Sequence, residues 1–509
     1  MTFDIVLFTD LTGQFYHNKP LGAYSLASTL RSHGYSVMVI DHLQRYLAEP
    51  NKLISIVKNV VGPNTLFIGF NTTFVTTGLP DIKSFTKWND FNGGVPAVWP
   101  EAPRIKMLIR AVHSLNPNTK IVYGGAQATK TSLFEYGIDV DYVVQGYAEI
   151  SAVKLADHLK KSTRLKTKKL HNSLLVDYDT LATGFNFSQH STIYQPHDIL
   201  LNNETLALET SRGCMYNCTF CDFPLRNRKR DDLSYHIDDT LLREYFIRNY
   251  ELAGIVNYMI TDDTFNETTD KLIRFKNVVK STGLPLQFMC FARVDLLTKY
   301  PEQIEILQEA GIISIWMGLE SLNQSSSNSV NKTYKVDTTK ETILNIRKQA
   351  GNDFRMYASF IFGLPNETEK SIHTWMDWVI NESTIDCIQV EPLTITPSNT
   401  PWPADIAVNM EQHGYQGNKN PNTMYVNWYN KVWTFEEADA LALKYQQELW
   451  ESGRNRLAAF HLFGMMSYGY KFDDIKNIPI NQLPYNDIIS KGQSQFKDYH
   501  NKMVSTLGI

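Results

Sequence analysis

The sequence predicts an α/β protein with a doubly wound, Rossmann-like N-terminal domain, a partial (β/α)6 TIM-like barrel behind it and a mainly helical C-terminal extension. Three observations carry that expectation. The first 160 residues alternate short apolar β-type runs with helical patterns, which is how a parallel sheet covered on both faces reads. A second series of six such runs begins at residue 204. Beyond residue 400 the alternation gives way to Asn-, Trp- and Tyr-rich sequence. The expected division is 1–160, a basic linker at 161–203, a barrel at 204–395 and a C-terminal substrate or lid region at 396–509.

In the first series the strands are expected at 3–9, 35–41, 65–71, 120–125 and 140–146. Between the first two, Tyr24, Ala27 and Leu30 recur at helical spacing and Gly34 supplies a stop. Ligands of doubly wound folds lie beyond the carboxyl ends of the strands, so the loop from Asp10 to Pro20, Asn71 to Thr73, and Gly124 with Gly125 are expected to meet at one crevice. The stretch KKSTRLKTKKLH at 160–171 carries six basic side chains and no acid, and reads as a solvated linker or domain edge. Barrel strands are expected at 204–211, 254–263, 286–295, 312–321, 354–365 and 385–393. A helix is expected at 301–310 between Pro301 and Gly311, and another from the capping box Thr434 to Glu437, with Leu441, Tyr445 and Leu449 as its apolar stripe.

Composition narrows the function classes. With 49 Lys and Arg against 53 Asp and Glu, the net charge of −4 gives no support to a polyanionic or nucleic-acid partner. No apolar stretch reaches the ~18 residues of a membrane span, and the start, MTFDIVLFTD, has acids where a signal peptide carries positive charge, so a cytoplasmic protein is expected. Three of the five cysteines, Cys214, Cys218 and Cys221, crowd into SRGCMYNCTFCDFP directly after a predicted strand, while Cys290 and Cys387 stand alone. That is no disulfide framework. Three thiolates at this spacing suit three irons of a 4Fe-4S cluster with the fourth iron open, whereas structural zinc asks for a fourth ligand that no second CxxC pair supplies.

This CxxxCxxC, with the aromatic Phe220 before the third cysteine, resembles the signature of the radical S-adenosylmethionine enzymes. ITDDTF (260–265), FARVD (291–295), GLES (318–321) and SFIFGLPNET (359–368) follow at the expected strand ends, so the resemblance spans about residues 200–395. It implies a cluster held by Cys214, Cys218 and Cys221 whose open iron chelates S-adenosylmethionine and delivers the electron that cleaves it. Each matching position has its own chemistry. Asp262 or Asp263 suits the methionyl ammonium and Arg293 the carboxylate; Glu320 suits ribose hydroxyls or the ammonium; Phe220, Ser359 and Gly363, with the strand around Ile361, suit the adenosyl group. The structural alternatives are an Asp262 that caps the next helix, an Arg293 paired with Asp295 and a Glu320 that neutralises a neighbour.

A doubly wound domain ahead of such a barrel resembles the cobalamin-binding half of the cobalamin-dependent radical enzymes. The resemblance implies cofactor contacts at Thr12, Asn71, Gly124 and Gly125, yet Thr12 stands where a DxHxxG motif places its cobalt-ligating histidine. His17 is the nearest alternative, against the ordinary reading of a solvated or structural loop histidine. No cysteine precedes Cys214 and only Cys387 lies beyond residue 300, which excludes methylthiotransferases with an N-terminal cysteine trio and maturases with auxiliary clusters. The family then implies a methyltransferase acting on an unactivated carbon of a small-molecule or peptide substrate, with an external flavodoxin- or ferredoxin-type electron donor. Its competitors are a cobalamin-independent radical cyclase, rearrangement or oxidation enzyme, and a non-catalytic cluster or corrinoid sensor.

Overall fold

The computed structural model describes residues 1–11, 17–71, 102–125, 128, 138–170, 172–176, 185–223, 225–226, 228, 235–332, 334–398, 402–418, 425–457 and 459–509. Short β-branched and aromatic runs between glycines and turns form the N-terminal sheet. Its strands β1 (Ile5–Phe8), β2 (Val37–Ile40), β3 (Phe67–Asn71), β4 (Lys120–Gly125) and β5 (Tyr142–Gln145) are parallel in the order β2-β1-β3-β4-β5. The order reverses at β1, which puts a crevice at the carboxyl ends of β1 and β3. The segment expected as a basic linker adds two more strands: β6 (Thr167–Leu170) runs antiparallel to β7 (Ser173–Val176), which pairs with β5. Lys168 and Lys169 are exposed on this outermost strand, where charge discourages edge-to-edge association. Of the basic stretch, Thr167–Leu170 form this edge strand, while Lys160 and Lys161 end the preceding helix.

The second sheet holds β8 (Thr205–Leu208), β9 (Asn257–Ile260), β10 (Gln287–Ala292), β11 (Ile312–Glu320), β12 (Arg355–Phe362) and β13 (Cys387–Pro392), parallel and in chain order. Strands β8 and β13 do not pair with each other, so the barrel is open. Alternation decides what each face meets. Leu206, Leu208, Tyr258, Ile260 and Phe288 point to the main core under the helices, while Ala207, Met259 and Met289 point inward. The helix Ala459–Ser467 fills that interior through Ala459 and Phe463, and Thr205 donates to Phe463 O at 2.8 Å.

Both open edges are occupied. On the β8 side Lys19 forms a parallel bridge to Leu206, with Lys19 N to Thr205 O at 2.9 Å. On the β13 side Asn455 exchanges hydrogen bonds with Ile388 N and O at 3.0 and 2.9 Å, and Gln446 donates to Val390 O at 2.7 Å. Gln446 lies on the helix Phe435–Glu451, whose capping box at Thr434 and Glu437 forms as the spacing predicts. The C-terminal extension also holds a hairpin, β14 (Gln416–Asn418) with β15 (Asn427–Tyr429). Its last helix, Tyr485–Leu507, places Phe496, Tyr499, Met503 and Leu507 in the core of the N-terminal sheet. The extension thus clamps barrel and sheet together.

At the junction Lys19, His17, Asp41, His42 and Glu204 are all fully buried. The Lys19 ammonium lies 3.4 Å from Glu204 and 3.6 Å from Asp41, and donates to Ile199 O at 3.0 Å. Removing one partner of a buried ion pair leaves an uncompensated charge. We predict that Lys19→Met lowers global stability by about 3–5 kcal/mol, the range for such a break; scanning calorimetry checks this, and an unchanged transition would contradict it.

Candidate active site

The cluster loop starts where β8 ends. Asp262, beyond β9, is fully buried and accepts from Thr210 N at 2.6 Å, Ser211 Oγ at 2.8 Å and the Lys271 ammonium at 2.8 Å. Burial alone would raise this carboxyl, but Lys271 and the hydroxyls outweigh it and hold the pKa below the ordinary range. Asp262 therefore anchors the loop from within and is not placed to receive a methionyl ammonium, which corrects one of the two alternatives drawn from the sequence. Lys271 also donates to Ser211 at 2.6 Å. Gly213 (φ 82) then turns the chain so closely beneath Leu225 that a Cβ would lie 2.8 Å from Leu225 O.

Cys214, Cys218 and Cys221 follow as free thiols on one tight loop. Cys221 N donates to Cys218 O at 3.1 Å, and Cys214 Sγ lies 3.4 Å from Thr264 Oγ1. Burial pushes the Cys214 thiol up and Cys221 up to about 12. Thiolates in this setting require a cation, and an iron cluster is the group whose chemistry fits three cysteines with an open corner.

Around the loop the strand ends form a rim. Asp263 is pushed up to about 7 by burial and then by Glu209 and Asp262, so the site holds excess negative charge that a ligand cation would relieve. Arg293 pairs with Asp295 at 2.9 Å, stacks 3.7 Å over Tyr216 and places Nη1 3.7 Å from Cys218 Sγ, so the structural pairing and proximity to the cluster coexist. A register shift between Gly318 and Glu320 and a φ of 60 at Glu320 re-aim the end of β11. Glu320 is there neutralised by Lys332 at 2.7 Å, and Lys332 stands 6.0 Å over the Phe220 ring. Ser359 on β12 accepts from Trp316 at 3.3 Å. Gly363 is taken up by the C-terminal extension: its carbonyl accepts from Tyr415 at 2.6 Å, and Trp428 covers its α-carbon. Glu391 at the end of β13 is held up at about 7 by burial and by Glu320.

In the N-terminal domain Asn71, Gly124 and Gly125 do meet, lining a cavity of about 230 Å³ between the sheet and the helices Leu21–Ser32 and Glu149–Lys161. Leu7, Phe67, Val122 and Val144 make its walls apolar, and a Cβ on Gly124 would lie 3.1 Å from Val144 O. Thr12 and Thr73 lie outside the described residues. His17 points into the junction instead of this cavity. Its ring stacks on His42 at 3.9 Å and 19°, and burial, then Lys19, keeps it neutral. The donor atoms of His17, His42 and Glu204 lie within 4.8 Å, but near-parallel stacked rings hold their in-plane lone pairs side by side, and the Lys19 ammonium already sits at Glu204.

Comparison with known proteins agrees with this geometry. Residues 208–379 match the radical SAM superfamily. That segment of the chain is a radical S-adenosylmethionine domain. An uncharacterized methyltransferase of Pyrococcus horikoshii is 25% identical over 316 residues, 58% of this chain, and the chain spans 65% of that relative's length. The radical S-adenosylmethionine methyltransferase TsrM from Kitasatospora setae, solved with cobalamin and a [4Fe-4S] cluster, matches with TM-score 0.63 at 13% identity over 97% of this chain and 100% of that one. The cobalamin-dependent radical enzyme OxsB matches with TM-score 0.57 at 13% identity over 99% of this chain and 80% of its own. At such identity the two structures speak for the fold alone, which this chain shares with them over 97% and 99% of its length. No helix among the described residues is long and apolar enough to cross a membrane.

Sequence reasoning missed Glu209, Arg212, Lys271, Lys332 and Glu391. Arg212 was within reach, standing two residues before Cys214; Lys271 and Lys332 sit in segments without any motif. The loop anchor gives a prediction. Asp262→Asn is expected to fold, by circular dichroism, yet to take up less iron and sulfide on reconstitution than the parent; equal uptake would contradict the anchoring role.

Proposed function

We propose that the protein is a cobalamin-dependent radical methyltransferase acting on an unactivated carbon of a small organic or peptide substrate. The observation that carries this reading is the apolar cavity beside the cluster loop, shaped by Gly124 and walled by Leu7, Phe67, Val122 and Val144. It suits the flat, uncharged base at the end of a corrinoid's nucleotide tail, because absent side chains admit a ring and apolar walls favour it. When bound, the cluster and S-adenosylmethionine supply one-electron cleavage, and the corrinoid supplies a transferable methyl group.

The chain's own residues have assignable parts. Cys214, Cys218 and Cys221 hold the cluster, and Arg293 beside Cys218 offsets its negative charge. Asp263 and Glu209 receive the methionyl ammonium, which relieves the carboxylate excess at the rim. Glu320, with Lys332 and Phe220, bounds the adenosyl end. His17 is committed to the junction beside Asp41 and Glu204, and would not be among the residues that hold the corrinoid. Helix Ala459–Ser467 fills the barrel floor, and Trp402 packs on Gly146 beside the cavity, so water is kept from both ends of a radical site. A cytoplasmic setting with an external flavodoxin- or ferredoxin-type reductant completes the reading.

The test is anaerobic reconstitution with iron, sulfide and hydroxocobalamin, removal of free cofactor and turnover with reductant. We expect bands of both a 4Fe-4S cluster and a retained corrinoid, and formation of S-adenosylhomocysteine as well as 5′-deoxyadenosine. A cluster without corrinoid, giving 5′-deoxyadenosine alone, would overturn methyl transfer. Cys218→Ala is expected to lose the cluster absorbance and all cleavage; retained cleavage would refute the cluster assignment itself.

A further inference from the structure

Arg212 stands at one end of the N-terminal cavity and two residues before the first cluster cysteine. Its guanidinium is held from both domains. It donates through Nε and Nη2 to Glu209, at 3.0 and 2.9 Å, and through Nη2 to Glu149 at 2.8 Å. Glu209 follows β8 of the barrel, while Glu149 opens a helix of the N-terminal sheet. Tyr147 and Phe187 flank the cation at 4.1 and 4.7 Å. Every residue of this bracket except Phe187 also lines the cavity.

Two atoms of the bracket are left over. Arg212 Nη1 and Glu149 Oε2 are buried, and neither has a hydrogen-bond partner among the described residues. The Arg212 side chain is 5% exposed and that of Glu149 8%, so water does not readily serve them. A buried donor or acceptor left unpaired costs roughly 1–3 kcal/mol, more when charged. A donor beside an acceptor at the end of an apolar cavity is the complement of a neutral group that carries both. An anionic group fits poorly, since the two carboxylates already outnumber the guanidinium.

We propose that Arg212 Nη1 and Glu149 Oε2 bind a neutral carboxamide or hydroxyl group of the corrinoid, and that Arg212 thereby positions the cluster loop in response to cofactor occupancy. This rests on the corrinoid reading above. The transmission is mechanical. Arg212 N is fixed to Tyr235 O at 2.9 Å, Gly213 is pinned beneath Leu225, and Cys214 N donates to Leu225 O at 3.1 Å. A shift of the guanidinium therefore has little slack to absorb it before Cys214.

The experiment uses the full chain with its cluster reconstituted, titrated with hydroxocobalamin, and the electron paramagnetic resonance spectrum of the reduced cluster recorded with and without saturating hydroxocobalamin. Arg212→Lys keeps the charge and loses the fork; Glu149→Gln replaces one carboxylate oxygen by a donor. Both are expected to retain the parent's iron content, to bind hydroxocobalamin about tenfold more weakly, the scale of one hydrogen bond to a charged group, and to lose the change in cluster signal that cobalamin causes in the parent. Parent-like affinity, or a parent-like spectral change at saturation, overturns the inference and leaves the corrinoid reading standing. Should Arg212→Lys fail to fold, Glu149→Gln decides by the same criteria. A parent protein that binds no hydroxocobalamin overturns both.

Discussion

A six-stranded parallel sheet that curls without closing has two raw edges, and the architecture follows from the need to cover them. Unpaired strand edges invite association with other chains and expose the barrel interior to water. Lys19 of the N-terminal domain bridges to β8, while Asn455 and Gln446 of the C-terminal region satisfy β13. The same two flanking regions meet at Tyr499, whose hydroxyl oxygen accepts from Asp41 N at 3.1 Å. Covering the edges thus forces the three parts of the chain into one body, with the cavity of the first sheet set beside the mouth of the second.

That arrangement concentrates buried charge at the seam between the sheets. Burying ions is tolerated only where partners are close and well placed. The Asp262–Lys271 pair holds the root of the cluster loop, and the Glu149–Arg212–Glu209 bracket ties it to the neighbouring domain. The first forms within the barrel and grips Thr210 and Ser211 from the next strand end, whereas the Glu149–Arg212 contact of the second forms only when the domains have docked. The cluster loop is in this sense a product of tertiary assembly, although its ligands lie within eight residues of one another.

Much of this was legible beforehand because strand alternation and short-range motifs are local signals. Strands β1 to β5 of the N-terminal sheet and all six barrel strands lie within the expected segments, while β6 and β7 were not expected. The three cysteines and the strand-end motifs were readable for the same reason. What escaped was decided at long range. The strand at Thr167–Leu170 looks like a charged linker because an edge strand is polar on purpose. Asp262 and Asp263 are indistinguishable in sequence, and only the burial of one against Lys271 separates anchor from rim. Gly363 resembles a cofactor contact until Tyr415 and Trp428 arrive from more than fifty residues downstream and occupy it. His17 likewise gives no hint of its stack on His42.

The central claim is spatial: an iron cluster on the barrel loop and a corrinoid seated over the N-terminal sheet, next to each other in one chain. Anomalous diffraction at the iron and cobalt edges, from crystals of the anaerobically reconstituted protein, tests it most directly. The predicted result is an iron peak at Cys214, Cys218 and Cys221 together with a cobalt peak beyond the carboxyl ends of β1 and β3, the nucleotide tail lying against Gly124. An iron peak with no cobalt, or cobalt bound away from that sheet, would contradict it.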